Sequence, residues 1–342
     1  MMKKFKILSI DGGGLRGVVP LTILKEVEKI TGKRLYQCFD MVAGTSTGGL
    51  IACACMLKDK NNPVQPQYTL DDILNVYLNR GHEIFPEPNL IGHLWGSISD
   101  KWHPQFTADG IKKVFTDVLK DAKLSDSLIH LLISCYDLTN NQPLFFKTRL
   151  ARQNPLQNAL MYDVCRATSA GPTYLPAYEF NYPNKQELPD RLCIDGGVFI
   201  NNPAMGAIAE LSKHLPDYIP SIPQGVDMDY QDVFVLSVGT GSYKGKVSGT
   251  DAINKGELFW IKPLINIMMR GVNQTTDYEM TEMMEKGNYL RLNINIEEQY
   301  SDMTLSNPAT SHYLIQETNS QVLNNITLMS KLRTLLNNMG CI

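Results

Sequence analysis

Residues 39–57 read Phe-Asp-Met-Val-Ala-Gly-Thr-Ser-Thr-Gly-Gly-Leu-Ile-Ala-Cys-Ala-Cys-Met-Leu. The apolar run Phe39 to Ala43 has the content of a short buried strand. Gly49 to Leu57, small, apolar and free of proline, has that of a buried helix. Between them Gly44-Thr45-Ser46-Thr47-Gly48 has the form G-x-S-x-G, a serine on a strand-to-helix turn. Gly44 and Gly48 permit a tight turn and leave no side chain over the hydroxyl. The helix that follows aims its positive N-terminal end at the place where an anion would form. Alone, the same five residues also describe a glycine-rich turn with a helix-capping serine, so the rest of the chain has to decide.

Upstream, Phe5 to Ile10 is a strand that enters Asp11-Gly12-Gly13-Gly14-Leu15-Arg16-Gly17. A helix follows from about Pro20 to Ile30, with Leu21, Leu24, Val27 and Ile30 on one face. Two strand–glycine loop–helix units side by side are the layout of a parallel α/β sheet, which collects function at the carboxyl ends of its strands. Downstream the spacing predicts a helix over Leu70 to Tyr77, capped by Thr69. Residues 82–106 hold Trp95 and Trp102 and keep no steady period. They read as a long ordered loop, where packing accounts for the tryptophans as well as a lid would.

Beyond that loop, Ala108 to Leu119 returns to helix. His130 to Tyr136 and Leu144 to Thr148 form a hairpin, and Ala159 to Ser169 is helical. Leu192 to Ile194 is a short strand opening into Asp195-Gly196-Gly197, followed by a helix over Pro203 to Lys213. Val233 to Val238 is a strand, Leu264 to Met284 a helix starting at Pro263, and Tyr289 to Ile296 a last strand. A long helical stretch covers Thr310 to Leu336. No repeat or linker interrupts this order. The expectation is one domain over 1–342, with a core of about 5–295 and a C-terminal helical segment of about 310–336.

Composition narrows the function. The chain has 342 residues, 43% hydrophobic and 20% charged, enough to bury a large core. A net charge of −3, with no basic run longer than two residues, argues against nucleic acid as a partner. The seven cysteines form no C-x-x-C and, with the histidines, no zinc-site spacing. Neither a metal nor a cofactor is expected. The N-terminal apolar run is too short for a cleaved signal sequence, and no stretch nears the roughly 20 apolar residues of a membrane span. The expected location is cytoplasmic or peripheral to a membrane. Composition leaves the oligomeric state open.

A serine that cleaves an ester needs a base and an electrophilic hole for the oxyanion. The loop at 11–17 can supply the hole through the backbone N–H groups of Gly12, Gly13 and Gly14, with Arg16 placed to assist an anion. Gly12, Gly14 and Gly17 also spell G-x-G-x-x-G, the dinucleotide fingerprint, but the acidic residue expected at the end of the second strand is missing. For the base, chain order allows a triad of Ser46, Asp195 and His312. Yet His312 lies in the helical tail, and no other histidine has a better setting. Asp195 stands at a strand end before Gly196 and Gly197. It can act directly on the serine if its surroundings raise its proton affinity. The competing reading makes it a turn aspartate.

Together, Asp-Gly-Gly-Gly-Leu-Arg-Gly at 11–17, Gly-Thr-Ser-Thr-Gly at 44–48 and Asp-Gly-Gly at 195–197 resemble the motifs of the patatin-like phospholipase family. So do Ala167 to Tyr174, Val235 to Gly241 and Asn288 to Arg291, which extends the likeness over roughly 5–295. The resemblance implies a three-layer α/β/α fold with a mostly parallel central sheet. It also implies a dyad of Ser46 as nucleophile and Asp195 as base, acting without histidine or calcium. The implied substrates are phospholipid, lysophospholipid or related lipid esters, hydrolysed through an acyl-enzyme with transient contact to a membrane surface. Trp95, Trp102 and the methionines at 268, 269, 280, 283 and 284 could line an acyl groove or touch a membrane surface, although methionines at helical spacing are more often plain core.

Overall fold

The computed structural model describes residues 4–86, 104–182, 189–243, 245, 249–254 and 256–342. Most of the 82–106 loop, with Trp95 and Trp102, therefore lies outside the described residues. Strands form where β-branched and apolar residues run together: β1 (Phe5–Ile10), β2 (Met41–Thr45), β3 (His130–Asp137), β4 (Gln142–Lys147), β5 (Tyr178–Phe180), β6 (Arg191–Asp195), β7 (Val233–Val238) and β8 (Tyr289–Leu292). They make one eight-stranded sheet in the order β5-β6-β3-β2-β1-β7-β8, with β4 pairing β3. The pairs β3–β2, β2–β1, β1–β7 and β7–β8 are parallel, and β4, β6 and β5 join antiparallel.

Alternation along the central strands sorts side chains to two covered faces. On β1, Phe5 and Ile7 join one buried cluster with Ala204, Ile208 and Leu211 of the Ala204–Lys213 helix and Met280 of the Glu257–Met283 helix. Leu8 and Ile10 join the other, with Val19 and Leu24 of the Val18–Thr31 helix and Ile51 of the Thr47–Met56 helix. The result is a three-layer α/β/α fold around a mostly parallel sheet.

Several element boundaries differ from the sequence expectation. The helix starting at Leu70 runs on to Ile84, because Gly81 lets it pack against Leu15 of the glycine loop. The methionine-rich helix begins at Glu257, which puts Pro263 in its second turn instead of at its start. A proline has no N–H to donate, so one helical hydrogen bond is lost at that position. The last strand stops at Leu292, where the Asn293 side chain takes the N–H groups of Gly241 and Ile294. The C-terminal helix is two, Pro308–Thr318 and Ile326–Asn338, and Asn325 caps the second through the N–H of Leu328. The edge strand β5 carries no alternation long enough to be read beforehand.

Candidate active site

Parallel pairing puts the carboxyl ends of β1 and β2 side by side, with Ile10 opposite Gly44. The chain leaves β2 into Ser46 at φ 53° and ψ −123°, a conformation a serine rarely adopts. Two contacts hold it. Gly48 brings the new helix so near β1 that a Cβ there would sit 2.1 Å from the Ile10 carbonyl oxygen. The Ser46 N–H donates to Thr168 Oγ1 at 2.8 Å, and that hydroxyl donates to the Ser134 carbonyl at 2.6 Å. Ser46 occupies the N-cap of the Thr47–Met56 helix without a side-chain capping bond, so its hydroxyl is not spent on the helix.

Strand β3 outruns β2, and the antiparallel β6 pairs with that overhang, Asp195 standing opposite Cys135. The strand therefore runs back toward Ser46 and ends beside it. The Asp195 carboxyl accepts the Gly197 N–H at 2.7 Å and faces the Ser46 hydroxyl. Burial lifts its pKa to about 6, and the hydrogen bonds from Ser46 and Gly197 hold it from rising further. Gly196 is required because a Cβ would meet Ser134 Oγ at 2.3 Å.

The glycine loop crosses in front of both residues. Gly12 donates its N–H to the Asn201 carbonyl, Leu15 to the Met303 carbonyl and Arg16 to the Gly13 carbonyl. Among the described residues, the N–H groups of Gly13 and Gly14 have no protein acceptor. Gly14 turns at φ 57°, and both glycines line the cavity that Ser46 and Asp195 border. Of the three expected oxyanion donors, Gly12 is thus already engaged. The Arg16 guanidinium points elsewhere, bonding the Gly13 and Ser301 carbonyls on the wall of a separate polar cavity. There burial lowers its pKa to about 10. Close packing accounts for two of the loop's glycines: a Cβ on Gly12 would sit 2.5 Å from Asn201 Oδ1, and one on Gly13 would overlap Thr240.

Two cavities meet at Ser46, Gly14 and Phe85. One, of about 230 Å³, is almost wholly apolar. The other, of about 130 Å³, is bounded by Asp195, Asn201, Met268 and Met269. The methionines divide accordingly: Met280 and Met284 are core, while Met268 and Met269 reach the site. Among the described residues no histidine lines either cavity. His312 is exposed on the Pro308–Thr318 helix, and His130 packs on Tyr218, so the triad does not assemble. Thr168 and Asn201 belong to the site without having been singled out. Their signal lay in the segment 167–174 and in the Asn201-Asn202-Pro203 that follows Asp195-Gly196-Gly197.

A serine at a strained strand–helix turn, beside a carboxylate and two unengaged backbone N–H groups on a three-layer α/β/α fold, fits the hydrolase class. The model of the family described as patatin-like phospholipase matches residues 8–208. Patatin-like protein 3 of Arabidopsis thaliana is 32% identical over 311 residues, covering 84% of this chain and 73% of that protein. Patatin-like protein 2 of Oryza sativa subsp. indica is 30% identical over 328 residues, covering 89% and 78%. The chain belongs to the patatin-like phospholipase family, whose members are generally lipid acyl hydrolases. A Solanum tuberosum relative, 30% identical over 84% of this chain and 78% of its own length, carries the name "Probable inactive patatin-3-Kuras 1". Membership alone therefore does not decide turnover.

Proposed function

We propose that this protein hydrolyses fatty-acyl ester bonds of phospholipids, lysophospholipids or related lipids, with Ser46 as nucleophile and Asp195 as base. The observation that carries the reading is the Ser46 hydroxyl facing a partly buried Asp195 carboxyl whose pKa sits near 6, close enough to neutrality to trade a proton. The Ser46 proton passes to Asp195 as Oγ attacks the ester carbonyl carbon. Negative charge collects on the carbonyl oxygen, where the N–H groups of Gly13 and Gly14 and the start of the Thr47–Met56 helix stabilise it. Asp195 returns the proton to the departing alcohol and leaves an acyl-Ser46. A water then gives its proton to Asp195 and attacks the acyl carbon. The fatty acid departs and Ser46 recovers its proton.

Arg16 braces the loop in this scheme and does not touch the oxyanion. A lipid surface as the source of substrate is supported by Leu264, Ile267 and Met268, which are about half exposed on one face of the helix that borders the site.

The test is hydrolysis of a mixed-lipid substrate, together with labelling by a fluorophosphonate. Ser46→Ala and Asp195→Asn should each lose turnover by about a thousandfold or more. The label should attach at Ser46, and His312→Ala should leave the rate within about twofold. Undiminished hydrolysis by Ser46→Ala would sink the proposal, and a large loss in His312→Ala would restore a histidine base.

A further inference from the structure

The apolar cavity beneath Ser46 is built from one stripe of each of three helices. The Thr47–Met56 helix contributes Thr47, Leu50 and Ala54, spaced to recur on one face. The Leu70–Ile84 helix contributes Ile73, Val76 and Tyr77, then Gly81 and Ile84. The Asp109–Leu119 helix adds Ile111, Val114, Phe115 and Val118.

The helices also fix its direction. Ser46 caps the first, which runs away from it, so at 1.5 Å per residue Ala54 lies about 12 Å below the nucleophile. The second runs the other way. Its Gly81 packs on Leu15 beside the glycine loop, and Val76, five residues earlier, lies about 7 Å deeper. Ion pairs from Arg80 to Asp117 and from Glu83 to Lys113 hold the third antiparallel to the second. At the far end the Tyr68 hydroxyl donates to the Val118 carbonyl at 2.7 Å.

We propose that this cavity is the acyl-chain channel and that Val76 and Ala54 sit at successive depths that determine which chain lengths are accepted. The assignment rests on the hydrolase reading above. A zigzag chain with bonds of about 1.5 Å advances a little over 1 Å per carbon, so about five or six carbons reach Val76 and about ten reach Ala54. Val76 is half-buried and Ala54 buried, and both border the cavity, so an aromatic side chain at either would project into it. The walls are almost wholly apolar, Asp72 being the one charged residue among the described residues that line them, as a methylene chain requires.

The experiment compares kcat/KM for p-nitrophenyl esters from acetyl to palmitoyl in the full chain, in Ala54→Phe and in Val76→Phe, with folding followed by thermal denaturation. Ala54→Phe should lower the palmitoyl-to-butyryl ratio at least tenfold, with the fall beginning near ten carbons. Val76→Phe should move that fall to about six carbons. The order of the two cut-offs is the decisive reading, since general destabilisation would scale all esters alike. If one variant does not fold, the other still tests its own depth.

A wild-type-like chain-length profile in a folded variant, while hydrolysis still depends on Ser46, would overturn the channel and leave the hydrolase standing. Absence of Ser46-dependent hydrolysis at every chain length would overturn both.

Discussion

Ser46 and Asp195 illustrate how little chemistry has to be added once the backbone is set. The serine hydroxyl is held toward the carboxylate by a strained turn, and that turn is anchored by Thr168. Thr168→Val keeps the shape and removes the acceptor, leaving the buried Ser46 N–H unpaired. We expect a stability loss of about 1–3 kcal/mol in urea denaturation. We also expect turnover to fall by roughly 10- to 100-fold through misplacement of the nucleophile. Thr168→Ser retains the hydroxyl and should restore most of both.

The raised pKa of Asp195 has two consequences of fixed sign. The base must be ionised, so kcat/KM should rise with pH through an acid limb near pH 6, where an ordinary aspartate would place it near 4. A flat profile between pH 5 and 7 would contradict this. For stability, the folded state holds a proton that the unfolded state has released between about pH 4 and 6. Stability conferred by that proton is present below pH 4 and is lost as pH rises through 6. Asp195→Asn should therefore be more stable than the parent above pH 6, with the gap closing on acidification. Two pK units correspond to about 3 kcal/mol. Residual access of the carboxyl to the cavity reduces the expected gain to about 1–2 kcal/mol.

Both residues of the proposed dyad were legible because their motifs are local: glycines at fixed offsets around one side chain. The allocation of oxyanion donors was not. Which N–H groups stay free depends on the Asn201 and Met303 carbonyls, which lie some two and three hundred positions downstream of the loop.

At the scale of elements, β8 is tied to the glycine loop by a buried ion pair. Arg291 donates to Asp11 Oδ1 at 3.2 Å and to Oδ2 at 2.5 Å, and to Ser237 Oγ at 2.7 Å. Burial pushes the Asp11 pKa up while Arg291 opposes it. Removing one partner strands the other in a dry site, so Arg291→Ala should cost about 3–5 kcal/mol in chemical denaturation. Arg291→Lys, lacking the forked geometry, should recover only part. A loss under 1 kcal/mol would show that Asp11 is hydrated or repaired by another group.

Most strand and helix identities were readable from period and composition, β5 excepted. Their ends were set by contacts the period does not contain. A Cβ on Gly110 would collide with the Glu83 carbonyl at 1.6 Å, so two helices far apart in sequence constrain each other's limits. The C-terminal segment shows the same effect. Its apolar period continues through 310–336, yet the chain breaks near Asn325 so that Leu314 and Leu332 both reach the core.

For the whole molecule, the site lies between a helical layer and a face bearing Leu264 and Ile267. If that face meets lipid, Leu264→Asp with Ile267→Asp should weaken sedimentation with phosphatidylcholine vesicles by roughly 10-fold or more. Each lost side chain withdraws about 1.5–3 kcal/mol of apolar burial at full depth. Hydrolysis of a monomeric ester should change far less than hydrolysis of vesicle lipid. Equal losses on both substrates would argue that the double variant disturbs the site instead. Among the described residues no helix is long and apolar enough to cross a membrane.

The sequence by itself determined the α/β class and singled out Ser46, Asp195 and the glycine loop that faces them, the residues we propose as nucleophile, base and oxyanion hole. These follow from short-range patterns whose physical requirements, a tight turn and close backbone approach, only certain residues meet. Only the tertiary structure decided that Gly12 and Arg16 are engaged elsewhere, that Thr168 anchors the turn, that His312 stands apart, and that three helical stripes close into an apolar cavity below Ser46. Each of these depends on which groups meet across the fold, and hydrogen-bond partners and cavity walls are supplied by residues that no local pattern connects.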